Sequence, residues 1–477
     1  MDIVFLNNFV NILFFIFSGT LFTLYLITAF LSITEVRKHL KKSRNFDYRT
    51  MLSFPKQPSV SIIAPAYNEE KTIIENIKCL LSLQYLDYEI IIVNDGSKDN
   101  TLATIINHFE LIKIEKAYEL KIPCANIRGV YQSANLAYHN LLVVDKENGG
   151  KADALNAGIN VSLKDLFLAI DVDCIIEPDA ILKMIRPFID DPKYRVIASG
   201  GVIRVANSCE VTDGRIVKVN YPNNFWAKFQ VLEYFRAFTI GRMAWTKVNG
   251  LLMVSGAFGL FDREVAIKVG GYDKSTVGED LELVVRMRKY MYEVGEKHRV
   301  AFIPDPLCWT EVPESYKILS RQRNRWTRGA IDTIKKHKNM FFNPKYGIVG
   351  MVSFPYWVIY EWMTPIVELF GIVFLIILLI LNLYSLKIIM LVLLFVFTFS
   401  LLFSTTAIFI EAYTYYKYRG KKYMLQAFIF IILEMFIYQP SNLYFSISGN
   451  YDYFFKKNKK GWGNMTRTGF ATKQQAK

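Results

Sequence analysis

The chain has 477 residues, 52% of them hydrophobic, and a formal net charge of +14 at pH 7. That length is too great for one small domain and suits a catalytic domain joined to membrane helices. A basic balance first suggests nucleic acid, but the long apolar runs point to basic loops against anionic lipid, so no nucleic-acid partner is expected. Five scattered cysteines with no C-x-x-C, and five scattered histidines, speak against a disulfide frame and against zinc.

Phe9 to Ile33 lacks any charge and is long enough to cross a bilayer, which takes roughly 20 residues. Arg37, Lys38, His39, Lys41 and Lys42 follow at once. By the positive-inside rule the N-terminus lies outside and the next segment in the cytosol. Residues 1–33 are read as a transmembrane helix, and 34–345 as a cytosolic α/β domain with interfacial helices. Within it, Val60–Ala64, Glu89–Val93 and Leu166–Ile170 are short β-branched or apolar runs that end in turn residues. Helical patterns separate them, as around Lys71 to Leu83. Alternating strands and helices predict a mostly parallel sheet covered on both faces, with ligands beyond the carboxyl ends of its strands. Phe225 to Trp245 mixes aromatics with Lys228, Arg236 and Arg242, as an amphipathic helix at the membrane boundary or a half-buried helix of the domain would.

From Tyr346 the chain turns hydrophobic again, and 346–455 is read as transmembrane and interfacial helices. Ile366–Leu383 and Ile388–Ile410 are the clearest spans, and Tyr346–Trp362 either crosses or lies flat. The basic loop Tyr413–Tyr423 should be cytosolic. Met424–Ser448, interrupted by Glu434, Gln439 and Pro440, is read as re-entrant or interfacial, because a basic cytosolic tail (456–477) follows. Glu368 and Glu434 sit in apolar stretches, where acids are functional candidates by default.

The acidic motifs fall at strand ends. Asp171 and Asp173 follow an apolar run. Residues i and i+2 of a strand share a face, and two carboxylates held together call for a cation. Mg²⁺ or Mn²⁺ takes one or two carboxylates plus substrate phosphates. A lone D-x-D is otherwise a solvated loop. Pro65–Glu69 and Asn94–Ser97 offer amide, carboxylate and hydroxyl groups, although alone each is an ordinary turn. Gly149–Asn156 reads as a loop entering a helix N-terminus, with Lys151 as a point charge for phosphate. Glu279-Asp280 open a helical pattern, with Asp280 the candidate base and Glu279 its support. Gln322, Arg325 and Trp326 fall on one helix face, where Arg suits a diphosphate and Trp a sugar ring.

This ordered set resembles the processive membrane branch of family 2 glycosyltransferases: cellulose, hyaluronan, chitin and poly-β-1,6-N-acetylglucosamine synthases. The match covers roughly residues 55 to 345, and Gln-x-x-Arg-Trp is its most telling element. The resemblance implies a GT-A fold and inverting, metal-dependent transfer of N-acetylglucosamine or glucose from a UDP-sugar to a growing β-linked polysaccharide at the inner membrane. Transfer of a single sugar to a lipid-linked acceptor shares the same donor motifs. By carry-over, Tyr67, Glu69 and Asp95 hold uridine, and Lys151 and Asp171 act near the nucleotide and diphosphate. Asp173 binds the metal, Asp280 is the base, and Gln322, Arg325 and Trp326 hold the diphosphate and frame the acceptor. Expected partners are the UDP-sugar, the polysaccharide, the bilayer and a small membrane or export subunit. Gly278, before Glu279-Asp280, departs from the Thr or Asp often found there in the branch.

Overall fold

The computed structural model describes residues 3–44, 57–212, 214–381, 386–415, 418 and 421–456. Three of the runs singled out in the sequence are central strands: β1 (Val60–Ala66), β2 (Tyr88–Asp95) and β6 (Leu166–Ile170). They are almost wholly buried, as strands covered on both faces must be. The other strands of the main sheet are β3 (Leu111–Ile114), β4 (Ile127–Ser133), β5 (Leu141–Lys146), β7 (Ile175–Ile176), β8 (Arg195–Val205), β11 (Phe258–Asp262) and β12 (His298–Thr310). A separate hairpin holds β9 (Glu210–Thr212) and β10 (Arg215–Lys218).

Strand order in the main sheet is β3-β4-β5-β2-β1-β6-β11-β8-β12-β7. β5, β2, β1 and β6 run parallel. β11 lies antiparallel between β6 and β8, while β8 and β12 are parallel to each other. This mostly parallel α/β sheet, wound with helices, is a GT-A fold. The carboxyl ends of β1, β2 and β6 therefore open on one rim, and the switch to antiparallel β11 puts the 255–257 loop beside the end of β6. Ala257 accepts from the Asp171 N–H at 3.2 Å.

Among the described residues, three helices are long and apolar enough to cross a membrane, or four if a bent pair is one span. The first is part of the helix Ile3–Arg44, whose last turn carries Lys41, Lys42 and Arg44. Glu35 and His39 tie its end to the sheet domain, through Lys247 at 3.2 Å and Asp305 at 2.6 Å. The bent pair joins 349–362 to the helix Thr364–Ile380 at 41°. The third element is the helix Leu386–Thr414.

Residues 422–455, read from the sequence as re-entrant or interfacial, carry no break in their helical path. They form one continuous helical run, also long enough to cross. Pro440 sits at the start of the helix Gln439–Phe455, just after the π-helical turn Glu434–Tyr438, so its missing N–H leaves the run unbroken. The run packs along its length on the domain: Tyr423 on Tyr221, Phe430 on Phe229, and Phe445 on Tyr316. Phe225–Trp245 is likewise half-buried, as the helix Phe225–Tyr234, a π-helical stretch to Arg242 and the helix Met243–Lys247. Residues 416, 417, 419 and 420 of the basic 413–423 loop, and the tail beyond Lys456, lie outside the described residues.

Candidate active site

Because β1 and β2 are parallel neighbours, the turns after them interlock. The Asn68 N–H donates to Ser97 Oγ at 3.0 Å, and the Lys98 N–H donates to Asn68 Oδ1 at 2.8 Å. Asn68 holds a left-handed φ of 58°, which Asn tolerates better than most residues. Tyr67 stands 43% exposed at the rim, while Glu69 accepts from Thr72 Oγ1 at 3.0 Å.

Asp95 is held by groups of the protein itself. Its carboxylate accepts from Lys146 Nζ at 2.5 Å, the Gly149 and Gly150 N–H groups at 2.9 and 2.8 Å, and the Asn148 amide at 3.2 Å. Lys146 is fully buried and also pairs with Asp153 at 2.7 Å. Buried charges persist only when paired and hydrogen-bonded. Asp95 thus anchors the Gly149-Gly150 loop from below. Gly150, at φ 87°, then leads into the helix Lys151–Val161.

Lys151 opens that helix. Its Nζ donates to the Gly256 carbonyl at 3.0 Å and pairs with Asp171. Burial works against its charge, but Asp171, Glu279 and Asp280 more than offset this and hold its pKa above the usual lysine value.

Asp171 and Asp173 lie just beyond β6, not on it. The Cys174 N–H donates to the Asp171 carbonyl at 2.9 Å, closing a tight turn. The strand rule that would put both on one face does not operate there. Both carboxylates nevertheless act on one neighbour: the Cys308 thiol is pushed well up by burial first, then by Cys174, Asp171 and Asp173. Asp173 is buried. No group of three or more His, Cys, Asp or Glu among the described residues could hold a metal ion. Two hard carboxylates on one turn beside a lysine suit a divalent cation whose remaining ligands are substrate phosphates and water.

The helix Glu279–Glu293 presents its acids at its N-terminus, where its dipole favours them. Asp280 accepts from the Gly256 N–H at 2.7 Å and the Leu281 N–H at 2.8 Å. Gly256 thus joins Lys151 through its carbonyl to Asp280 through its amide. A Cβ on Gly256 would sit 2.9 Å from Asp280 Oδ2. Glu279 is buried, and its carboxyl is pushed up to about 7 by that burial, with Asp280 adding and Lys151 and Arg325 opposing.

Gln322, Arg325 and Trp326 ride on the helix Tyr316–Lys336. That helix meets the Glu279 helix glycine to glycine: a Cβ on Gly278 would lie 2.8 Å from Gly329 Cα, and one on Gly329 would lie 2.7 Å from Gly278 Cα. The departure at Gly278 thus has a packing reason. The contact lies about one turn beyond Arg325 and brings that side chain into the field of Glu279. Gln322 Oε1 is buried with no hydrogen-bond partner, and Trp326 is 43% exposed.

Two residues that the motifs did not reveal complete the surroundings. Tyr272 is buried, and its hydroxyl is pushed well up by burial and by Asp280, Glu279 and Asp171. Asn156 holds it by exchanging two hydrogen bonds with its backbone, at 2.7 and 2.8 Å. Arg242 stacks 4.0 Å above Phe238, its pKa brought down to about 10 by burial despite Asp280. Gly270-Gly271 before Tyr272 was the available signal; for Arg242 it was the aromatic and basic stretch Phe225 to Trp245, which pointed to the membrane boundary and not to the site. Arg242 also lines a cavity of about 1570 Å³ that runs among the membrane helices past Trp245, Tyr356, Glu361 and Glu368.

A GT-A domain with a lysine, acids and an Arg-Trp helix on one rim, joined to membrane helices, defines a membrane glycosyltransferase. Residues 61–120 match the family described as Glycosyl transferase family 2, residues 127–329 Glycosyltransferase like family 2, and residues 273–475 Chitin synthase. The chain belongs to glycosyltransferase family 2. It is 29% identical over 276 residues to poly-β-1,6-N-acetyl-D-glucosamine synthase of Staphylococcus epidermidis, covering 58% of this chain and 55% of that protein. The synthase of Staphylococcus aureus strain COL matches to the same extent. The chain spans about half the length of the curated relatives it matches. Among solved structures it is similar to a mannosyltransferase from Pyrobaculum calidifontis in complex with GDP-Man and Mn²⁺, with 15% identity, a TM-score of 0.49, and coverage of 90% of this chain and 100% of that one.

Proposed function

We propose that this protein transfers N-acetylglucosamine or glucose from a UDP-sugar to a growing β-linked polysaccharide, with inversion at the anomeric carbon, its catalytic domain in the cytosol and its helices in the inner membrane. The observation that carries this reading is the chain of contacts Asp171–Lys151–Gly256–Asp280 closing against the Arg325 helix near the cavity that enters the membrane helices. Similarity to poly-β-1,6-N-acetyl-D-glucosamine synthases favours N-acetylglucosamine and a polymeric product.

Tyr67 and Glu69 border the uridine end, and Asp95 shapes it by fixing the Gly149-Gly150 loop. Lys151 and Arg325 face the diphosphate. Asp173, with Asp171 nearby, would hold Mg²⁺ or Mn²⁺, which would supply positive charge to offset that on the leaving UDP. The acceptor hydroxyl oxygen bonds to the anomeric carbon as the bond from that carbon to the phosphate oxygen breaks. Its proton passes to the Asp280 carboxylate, which the Gly256 and Leu281 N–H groups keep oriented. Gln322 and Trp326 receive the acceptor sugar, one through its buried amide oxygen and one by stacking. The elongated chain then enters the cavity.

The test is UDP release by purified protein with each UDP-sugar, followed by product sizing. Asp173→Asn and Asp280→Asn should each lower release by at least about 100-fold, and chelation should abolish it until Mg²⁺ or Mn²⁺ is restored. Normal turnover in both variants removes the mechanism. Addition of one sugar only assigns the protein to single transfer onto a lipid-linked acceptor.

A further inference from the structure

Arg323 lies on the same helix as Arg325 and Trp326, yet the reaction just described makes no use of it. Its guanidinium carbon sits 4.1 Å from the centroid of the Trp326 ring. Its Nη2 donates to Glu233 Oε2 at 2.7 Å and to the Tyr438 hydroxyl at 3.3 Å. That hydroxyl donates in turn to Glu233, closing a three-membered ring of contacts. The three residues come from three elements: Arg323 from Tyr316–Lys336, Glu233 from Phe225–Tyr234, and Tyr438 from the π-helical turn Glu434–Tyr438. Glu233 also lines the intramembrane cavity.

Exposure divides sharply across this group. Arg323 is 7% exposed and Tyr438 is fully buried, whereas Trp326 is 43% exposed. One side of the indole is backed by a cation that cannot swing, and the rest of the ring is open. A cation over a ring face is held by the ring quadrupole, and a guanidinium fixed by a carboxylate and a hydroxyl keeps that geometry. A sugar can stack productively only on a plane whose orientation does not drift.

We propose that Glu233, Arg323 and Tyr438 form a positioning device that fixes the Trp326 indole as the stacking floor for the acceptor saccharide. The inference rests on the polysaccharide reading of the site and assigns these residues to the acceptor, not to donor chemistry. They act through Trp326. The π-helical turn gives this device its membrane-side anchor, because it places Tyr438 beneath the Trp326 helix.

The experiment uses the full chain in detergent and two readouts. UDP release by the wild type tests the transfer reading. Calorimetric binding of β-linked N-acetylglucosamine and glucose pentasaccharides, with no donor present, tests the positioning device. Arg323→Lys should weaken binding of the better pentasaccharide roughly 5- to 10-fold, and Tyr438→Phe about 3-fold, with the KM for the donor unchanged. In a Trp326→Ala background Arg323→Lys should add nothing, since its effect passes through the missing indole. Tyr438→Phe removes one oxygen and keeps the ring packed, so it reports even where Arg323→Lys fails to fold. Unchanged affinity in both single variants overturns the proposal. So does a full loss that persists on top of Trp326→Ala, or a wild type that binds neither saccharide.

Discussion

In the proposed reaction, Glu279 is the residue whose charge state decides how Lys151 and Arg325 meet a diphosphate. Its carboxyl, pushed up to about 7, is protonated below neutrality and ionised above it. When protonated it leaves Lys151 and Arg325 to attract a diphosphate; when ionised it competes for them. The sign follows. Donor affinity falls as pH rises through 7, and bound diphosphate raises the Glu279 pKa further. Each unit of that rise is worth about 1.4 kcal/mol, or tenfold in affinity. The KM for the UDP-sugar should therefore increase several-fold between pH 6 and pH 8 in the wild type. Glu279→Gln cannot ionise, and its KM should stay flat over that range. A wild-type KM that falls with pH would assign the charge competition elsewhere. The same linkage gives stability a sign. A carboxyl held above its unfolded value stabilises the fold fully below about pH 4, near the unfolded glutamate pKa, and that contribution fades as pH climbs towards 7.

At the scale of elements, the site depends on two helices touching where neither has a side chain. Gly278 and Gly329 let the Glu279 helix and the Trp326 helix approach backbone to backbone. A methyl on Gly278 would meet main-chain atoms at 2.8 and 3.0 Å, which cannot rotate away. Gly278→Ala should cost about 1–3 kcal/mol of stability as the helices part. It should also lower UDP release by at least about tenfold, because about 1 Å of misplacement at a reacting centre is that expensive. Thermal unfolding and turnover of the same preparation check both. The sequence announced both helices: Glu279-Asp280 opens an amphipathic run, and Gln322, Arg325 and Trp326 share a face. It could not announce their contact, because two glycines 51 positions apart carry no pattern that links them. The strands were legible for the opposite reason. β-branched runs ending in Pro65, Asn94 and Asp171 are local signals, and local chemistry ends each strand near those turns. Asp95 shows where local reading stops: its letter pattern suggests a ligand contact but cannot show its protein partners Lys146, Gly149 and Gly150, which come from a strand and loop about 50 residues away. The D-x-D pair was visible as chemistry but not as geometry, since the turn at Cys174 replaces the strand on which the sharing of one face was argued.

Across the whole molecule, buried charge pairs join the sheet domain to the membrane helices alongside the apolar contacts. Arg204 of β8 pairs with Glu411 of the helix Leu386–Thr414, with side chains 1% and 3% exposed. Arg236 pairs with Glu434 and donates to Ser404 at 2.8 Å, so one guanidinium holds the same helix and the π-helical turn Glu434–Tyr438. Burying such pairs is costly, and replacing both partners by apolar residues of similar volume is often neutral or stabilising. Removing one partner is different, because it leaves the other charged and desolvated. Glu411→Leu alone should therefore destabilise the protein by about 3–5 kcal/mol, whereas Arg204→Met with Glu411→Leu should recover most of that loss. Thermal unfolding in detergent measures the recovery. If the pair serves only stability, the double variant should also keep wild-type product length. If it fixes how the domain sits on the helices that enclose the cavity, the double variant should fold normally and release UDP, yet make shorter product. The second outcome is the one expected here. An apolar contact lets β8 slide on the helix, whereas a guanidinium and a carboxylate fix one register, and the cavity begins beside Arg242 and Trp245, on the stretch that continues from Arg236.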